Sequence, residues 1–245
     1  MRNLCISSVL YQIDPLVYST HLSMMYRAGR NLKDWNIVFT GRWRMAIDEA
    51  RNFAADVALQ SECEYLFFYD DDMLLHSDVL ERLVNRMETT DADIVMAKTW
   101  VRGHPFNPMC FRFINKEKTG LSIYDYKKED ILENGLVKVD AVGAACTIMK
   151  VELFKNMSRP WFFTGQNNTE DVYFCLKARE VYENVNIYVD DTFSCGHLFD
   201  KRVITEESRQ NLIDDFLRGY NSFGLPIPKQ INPKTALIEN KLPFD

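Results

Sequence analysis

The sequence predicts an α/β protein, a mostly parallel sheet flanked by helices and folded as a single domain. Three observations predict it. Short apolar, β-prone runs alternate with segments whose apolar residues recur at three and four positions, the order expected of βαβ units. The 245 residues, 47% of them hydrophobic, supply one sizeable core and leave little for a second. No apolar run approaches the roughly 18 residues that a membrane-spanning helix requires.

The elements follow in order. Asn3 to Leu10 is an apolar strand, Pro15 to Tyr26 has helical spacing that ends near Gly29, and Trp35 to Thr40 is a second strand closed by Gly41. From Arg44 to Leu59 the stripe Ala46, Ile47, Ala50, Phe53, Ala54, Val57 and Ala58 marks a helix packed on a sheet. The strand Tyr65 to Tyr69 follows, then a helix capped by Ser77 with Val79, Leu80, Leu83, Val84 and Met87 inward, then the strand Ile94 to Ala97. After Trp100 the pattern changes. Phe111 to Tyr126 is rich in aromatic and turn residues, and Val137 to Met149 reads as one long strand of small residues, with short antiparallel pieces expected there. Thr169 caps a helix running to about Tyr182, Asn186 to Val189 is a strand, and Thr205 caps a last helix with Leu212, Ile213, Phe216 and Leu217 inward. Four of the eight prolines fall after Leu225, so the domain is expected over 1–224 and an extended Pro-rich arm over 225–245.

A formal net charge of -6 disfavours a general electrostatic hold on nucleic acid, and no nucleic-acid partner is expected. Asp14 and Pro15 follow the first apolar run without a small-residue cleavage signature, so a cytoplasmic location is expected. The six cysteines are scattered, none in a CxxC pair, and read as buried free thiols.

The strongest chemical signal is Tyr65-Leu-Phe-Phe-Tyr-Asp70-Asp71-Asp72, an apolar strand that ends in three carboxylates. Adjacent anions repel, so something must compensate them. Two readings are open: a solvated turn before a helix, where Asp is common, or a site for Mg²⁺ or Mn²⁺ shared with substrate phosphates at the carboxyl end of a sheet strand. Glu170 and Asp171 open a helix, where the macrodipole favours negative charge. Gly143, Ala144 and Ala145 lack bulk within a strand, which suits the close approach of a ligand or of a second backbone.

The order of these features resembles a GT-A fold glycosyltransferase, particularly the family-2-like enzymes that use nucleotide sugars. The resemblance covers roughly Asn3 to Leu198. It rests on Ile6-Ser7-Ser8-Val9-Leu10-Tyr11, Ala50-Arg51-Asn52, the Asp70-Asp71-Asp72 triplet, Val139-Asp140-Ala141-Val142-Gly143-Ala144-Ala145, Thr169-Glu170-Asp171-Val172-Tyr173-Phe174-Cys175 and Cys195-Gly196-His197-Leu198. It implies that Asp70 and Asp72 form a DxD element holding Mn²⁺ or Mg²⁺, with His197 completing the metal shell. Ser7, Ser8, Tyr11, Arg51, Asp70, Asp71 and Gly143 are then expected on the donor, a nucleoside-diphosphate sugar such as a UDP- or GDP-sugar. Glu170 and Asp171 are expected to face a hydroxylated acceptor, most plainly a carbohydrate, with Asp171 as general base if the enzyme inverts the anomeric centre. Trp161 is expected to line the acceptor by stacking on a sugar ring. The second strand ends in Thr40-Gly41, where many relatives carry an acidic residue for the nucleotide, so the base is not named. A sugar-nucleotide nucleotidyltransferase would share the plan but needs a glycine-rich N-terminal loop, absent between Met1 and Tyr26. A metal-dependent phosphatase or nuclease would need a second acidic cluster for its paired cations. A non-catalytic carbohydrate-binding protein would explain Trp161 and leave the carboxylates unexplained.

Overall fold

A computed structural model describes residues 1–115, 120–166, 168–199 and 202–217, with 215–217 described by backbone only. The expected arm at 225–245 and the inward faces of Phe216 and Leu217 lie outside the described side chains. In chain order the elements are β1 (Arg2–Leu10), α1 (Pro15–Asn31), β2 (Trp35–Trp43), α2 (Ile47–Gln60), β3 (Tyr65–Asp70), β4 (Met73–Leu74), α3 (Val79–Thr89), β5 (Ile94–Lys98), β6 (Cys110–Phe113), β7 (Leu121–Ile123), β8 (Leu136–Val139), β9 (Ala141–Val142), β10 (Cys146–Lys150), α4 (Glu152–Lys155), α5 (Glu170–Val181), β11 (Ile187–Ser194), β12 (Gly196–Phe199), β13 (Arg202–Ile204) and α6 (Arg209–Leu217).

The main sheet has seven strands in the order β2-β1-β3-β10-β5-β11-β8. Strands β2, β1, β3, β5 and β11 run the same way, while β10 and β8 run against them. Two apolar layers flank it. On one face Leu66 and Phe68 of β3 pack with Ala54, Ala55 and Ala58 of α2 and Phe174 and Ala178 of α5. On the other, Tyr65, Phe67 and Tyr69 pack with Met24 and Ala28 of α1 and Leu80 and Leu83 of α3. A strand buried on both faces reads as a continuous apolar run, which is why Tyr65 to Tyr69 carries no alternation. All six cysteines are buried free thiols, as expected. Among the described residues no helix is long and apolar enough to cross a membrane.

Several boundaries depart from the sequence reading. The strand from Val137 to Met149 is three strands in two sheets: it breaks at Asp140, whose carboxylate accepts from the Phe113 amide at 3.0 Å, and again through Gly143 to Ala145. Strand β2 does not close at Gly41, because it is an edge strand that keeps its pairing with β1 as far as Leu10 opposite Trp43. The α3 cap position is Asp78 rather than Ser77, and α2 starts at Ile47 rather than Arg44. Thr205 caps the turn that leads into α6, as expected: its hydroxyl accepts from the Ser208 amide, its amide donates to the Ser208 hydroxyl, and its carbonyl accepts from the Arg209 amide at 3.0 Å.

The aromatic side chains beneath α5 bear much of the packing. Phe174 is almost fully buried and its ring stacks on Phe162 at 4.7 Å between centroids and 16° between planes. Phe174→Ala is expected to lower stability by about 3–5 kcal/mol, read as a shifted denaturation midpoint in urea. A midpoint near that of the wild type would contradict this packing.

Candidate functional site

The candidate site forms where β1 and β3 end, at the carboxyl edge of the sheet. Its centre is Arg51, which is only 1% exposed. Helix α2 carries it on the face turned to the sheet, beside Ala50, Ala54 and Ala55. The guanidinium donates from Nε to Glu170 Oε1 at 2.9 Å, from Nη2 to Asp70 Oδ1 and Oδ2 at 3.0 and 3.3 Å, and from Nη1 to the Ala144 carbonyl at 3.4 Å. One cation therefore joins α5, β3 and the turn between β9 and β10. The next residue, Asn52, extends the clamp: its Oδ1 accepts from the Trp161 and Phe162 amides at 2.9 and 3.2 Å, and its Nδ2 donates to the Phe162 carbonyl at 2.7 Å.

The three aspartates part company after β3. Burial pushes the Asp70 carboxyl up to about 6, with Arg51 opposing that rise. Asp71 turns back, and its Oδ2 accepts from the Tyr11 and Gln12 amides at 2.5 and 2.7 Å, anchoring the loop that leaves β1. Asp72 turns toward β12. Burial would raise its carboxyl, but His197, whenever its ring is protonated, and the Arg102 guanidinium outweigh it and hold the group below the ordinary carboxylate range.

His197 reaches that position through strand pairing. Strands β12 and β4 are antiparallel, with Gly196 opposite Leu74 and His197 opposite Met73, and the Leu198 amide donates to the Asp72 carbonyl at 2.8 Å. Gly196 permits close packing on both sides, since a Cβ there would stand 3.3 Å from Leu74 Cβ on β4 and 2.6 Å from Val203 Cγ1 on β13. His197 Nδ1 lies 2.6 Å from the Trp100 carbonyl. A carbonyl only accepts, so Nδ1 carries a proton, and in the neutral ring Nε2 is left as an acceptor. Nε2 faces Asp72 Oδ1 at 3.3 Å, and that buried oxygen makes no hydrogen bond. Asp72 Oδ2 accepts from Arg102 Nη1 at 2.7 Å.

Two acceptors aimed at one another fit a cation between them, and a histidine that donates its other nitrogen to a carbonyl has the orientation usual for a metal ligand. Among the described residues no group of three or more His, Cys, Asp and Glu side chains gathers to hold a metal unaided. Two protein ligands suit a cation whose remaining ligands are water and substrate phosphates. Both oxygens of Asp70 accept from Arg51 Nη2, and each keeps a lone pair open to a cation.

The acceptor-side residues divide as well. Glu170 is buried on Arg51, whereas Asp171 is partly exposed. Asp171 Oδ2 accepts from the Ala144 amide at 3.2 Å, and Oδ1 accepts from the Val172 amide at 2.7 Å and from the Thr169 hydroxyl. Thr169 holds the cap position of α5 without a side-chain cap bond, because its hydroxyl is turned to Asp171. Trp161 is buried, not open to a sugar: its ring packs edge-on against Phe154 and its Nε1 donates to the Phe154 and Met157 carbonyls. Gly143 makes room for protein rather than ligand, since a Cβ there would stand 2.2 Å from Met109 Sδ. Ser7 and Ser8 are buried at the end of β1 and point to opposite faces, with Ser8 Oγ making no hydrogen bond. Tyr11 is exposed on the rim. Arg102 and the Trp100 carbonyl were not legible as site groups; they lie in irregular chain after β5 with no periodicity or motif to mark them. A surface cleft of about 610 Å³ lined by Cys63, Tyr65 and Lys150 opens at the amino end of β3, the far end from the carboxylates.

A family model described as glycosyl transferase family 2 matches residues 27–157, just over half of the chain and the part that contains Arg51, the aspartate triplet and Gly143. No curated protein matches the chain. Among solved structures, A197 from STIV is similar with a TM-score of 0.52 at 21% identity, over 84% of this chain and 91% of that one. S. aureus TarS 1-349, solved in complex with UDP-GlcNAc, gives a TM-score of 0.47 at 13% identity, over 82% of this chain and 59% of that one. The likeness to A197 is one of fold.

Removing Arg51 leaves Glu170 buried without a counter-charge. Arg51→Met is expected to destabilise the fold by about 3–5 kcal/mol, and adding Glu170→Leu to that variant is expected to recover part of the loss. Chemical denaturation of the two variants checks this. Equal stability of Arg51→Met and wild type would remove the clamp from the account.

Proposed function

The chain belongs to glycosyl transferase family 2, and on that premise we propose that it moves a sugar from a nucleoside-diphosphate sugar to a hydroxylated acceptor with the help of a divalent cation. The observation that carries the reading is the buried Asp72 Oδ1, without a hydrogen bond and 3.3 Å from His197 Nε2, at the carboxyl end of the central strands. Asp72 and His197 would hold Mn²⁺ or Mg²⁺, which supplies Lewis-acid stabilisation of the departing nucleoside diphosphate. A UDP- or GDP-sugar is the expected donor and a carbohydrate the expected acceptor.

The remaining work belongs to the protein. Arg51 holds Asp70 and Glu170 in place from below and is sealed from solvent, so its part is to position them rather than to touch the nucleotide. Asp71 fixes the Tyr11–Gln12 backbone that rims the donor side. Asp171 has one partly exposed carboxylate at the first turn of α5, oriented by Thr169 and the Ala144 amide. In an inverting reaction it takes the proton of the acceptor hydroxyl. The acceptor oxygen forms its bond to the anomeric carbon as the carbon–phosphate oxygen bond breaks, and that electron pair leaves with the nucleoside diphosphate.

Thermal unfolding tests the donor site. Mn²⁺ with the matching nucleoside diphosphate is expected to stabilise the protein more than either alone, by about 2.7 kcal/mol at a hundredfold excess over the dissociation constant. Asp72→Asn and His197→Ala should lose the Mn²⁺-dependent part. If UDP, GDP and ADP all leave Tm unchanged with Mn²⁺ present, the donor site fails for these nucleotides.

Asp171→Asn tests the base. It is nearly isosteric and should leave Tm and donor binding close to wild type while slowing transfer about 10²- to 10⁴-fold. Thr169→Ala, by contrast, should slow transfer far less. Turnover of Asp171→Asn near wild type would show that Asp171 is not the base.

A further inference from the structure

The face formed by α1 and the edge strand β2 takes no part in the site, and its composition departs from the rest of the chain. Residues 15–45 hold five Lys or Arg against one acid, Asp34, a local charge of +4 in a chain of net charge -6. Arg27 is paired with Glu81 on α3. Among the described residues Arg30 and Arg44 have no carboxylate partner and lie over the rings of Tyr26 and Trp43, while Arg42 points to the other face of the sheet, over Phe53 of α2.

The apolar residues of this face form one strip. Helix α1 buries Val17, His21, Met24 and Ala28 against the sheet, and its Arg27 and Asn31 reach Glu81 on α3. Helical periodicity then places Tyr18 and Leu22 on the flank turned away from α3. On β2, Trp35 and Ile37 pack against the apolar layer beneath α1, so by alternation Phe39 and Trp43 rise from that same face. Tyr18, Leu22 and Phe39 are about half exposed and Trp43 is 69% exposed.

Exposed rings and aliphatic side chains bordered by unpaired arginines have the two attributes of an interfacial surface: groups that enter the headgroup layer and cations that meet its anions. Nucleic acid would use the arginines and leave Leu16, Leu22, Phe39 and Trp43 in water, whereas a second copy would bring two faces of like charge together. We infer that the α1–β2 face docks this protein on an anionic lipid bilayer. Trp43 pairs with Leu10 one position beyond Val9, which is opposite Asp70, so a bilayer docked here lies at the rim of the site. The inference stands apart from the catalytic reading, because it concerns binding alone.

Flotation of the full chain with vesicles of phosphatidylcholine, with or without phosphatidylserine, tests it. The protein should float only with phosphatidylserine present and less as salt is raised. Arg30→Gln and Arg44→Gln should each lower partitioning about fivefold. Leu22→Ser combined with Trp43→Ser should abolish flotation at unchanged Tm, while Lys127→Gln with Lys128→Gln, a larger loss of exposed charge than any one arginine variant and far along the sheet order, should leave it intact. No flotation with phosphatidylserine, equal flotation on phosphatidylcholine alone, or arginine variants that float like wild type would overturn the inference. So would arginine-dependent retention of a labelled oligonucleotide, or a concentration-dependent dimer, without vesicle binding.

Discussion

A guanidinium almost sealed from water must have its charge met inside the protein, and the architecture of the site follows from how Arg51 is met. Desolvating an ion costs several kcal/mol even after relaxation, and only close, well-oriented partners offset it. Here the partners come from three elements that are distant in sequence: Glu170 from the start of α5, Asp70 from the end of β3, and the Ala144 carbonyl from the turn before β10. Their convergence sets the depth at which α5 docks and so the height of Asp171 above the sheet. Asn52 holds the adjoining Trp161–Phe162 segment from the same helix turn.

With Asp70 held by Arg51, the repulsion within the aspartate triplet is relieved by direction. Asp71 is met by two backbone amides of the loop after β1, and Asp72 by Arg102 and the His197 ring. Each carboxylate thereby ties β3 to a different neighbour. The β4–β12 pairing fixes His197 beside Asp72, and the Trp100 carbonyl fixes which nitrogen of its ring faces the carboxylate.

Much of this was legible in sequence. The apolar run Tyr65 to Tyr69 and the stripe along α2 declare a sheet strand and its covering helix, because burial on two faces or one leaves its period in the residues. The site residues were legible by type and order but less so by role. Arg51 looks like a donor-facing cation in sequence, since nothing local reveals that Glu170, 119 positions later, will bury it. Trp161 looks like a stacking platform, yet its indole is held by two carbonyls within the core, a fact of tertiary packing. The small residues at Gly143 admit either a ligand or a neighbour, and the neighbour is Met109. The splitting of Val137 to Met149 was hidden for a similar reason: three strands of like composition read as one run of small and apolar residues, interrupted only at single polar positions such as Lys138 and Asp140, whichever sheet each one joins.

The account's central claim is that the carboxyl end of β3 is where a nucleotide sugar is bound and broken, with Asp72 and His197 on its cation. A panel of UDP-, GDP- and CMP-sugars incubated with the protein and Mn²⁺, scored for nucleotide release with and without chelator, measures this directly. The account predicts release of one nucleotide class, abolished by chelation and by Asp72→Asn in a protein that remains folded. Release that persists undiminished in Asp72→Asn, or none from any sugar nucleotide, would contradict it.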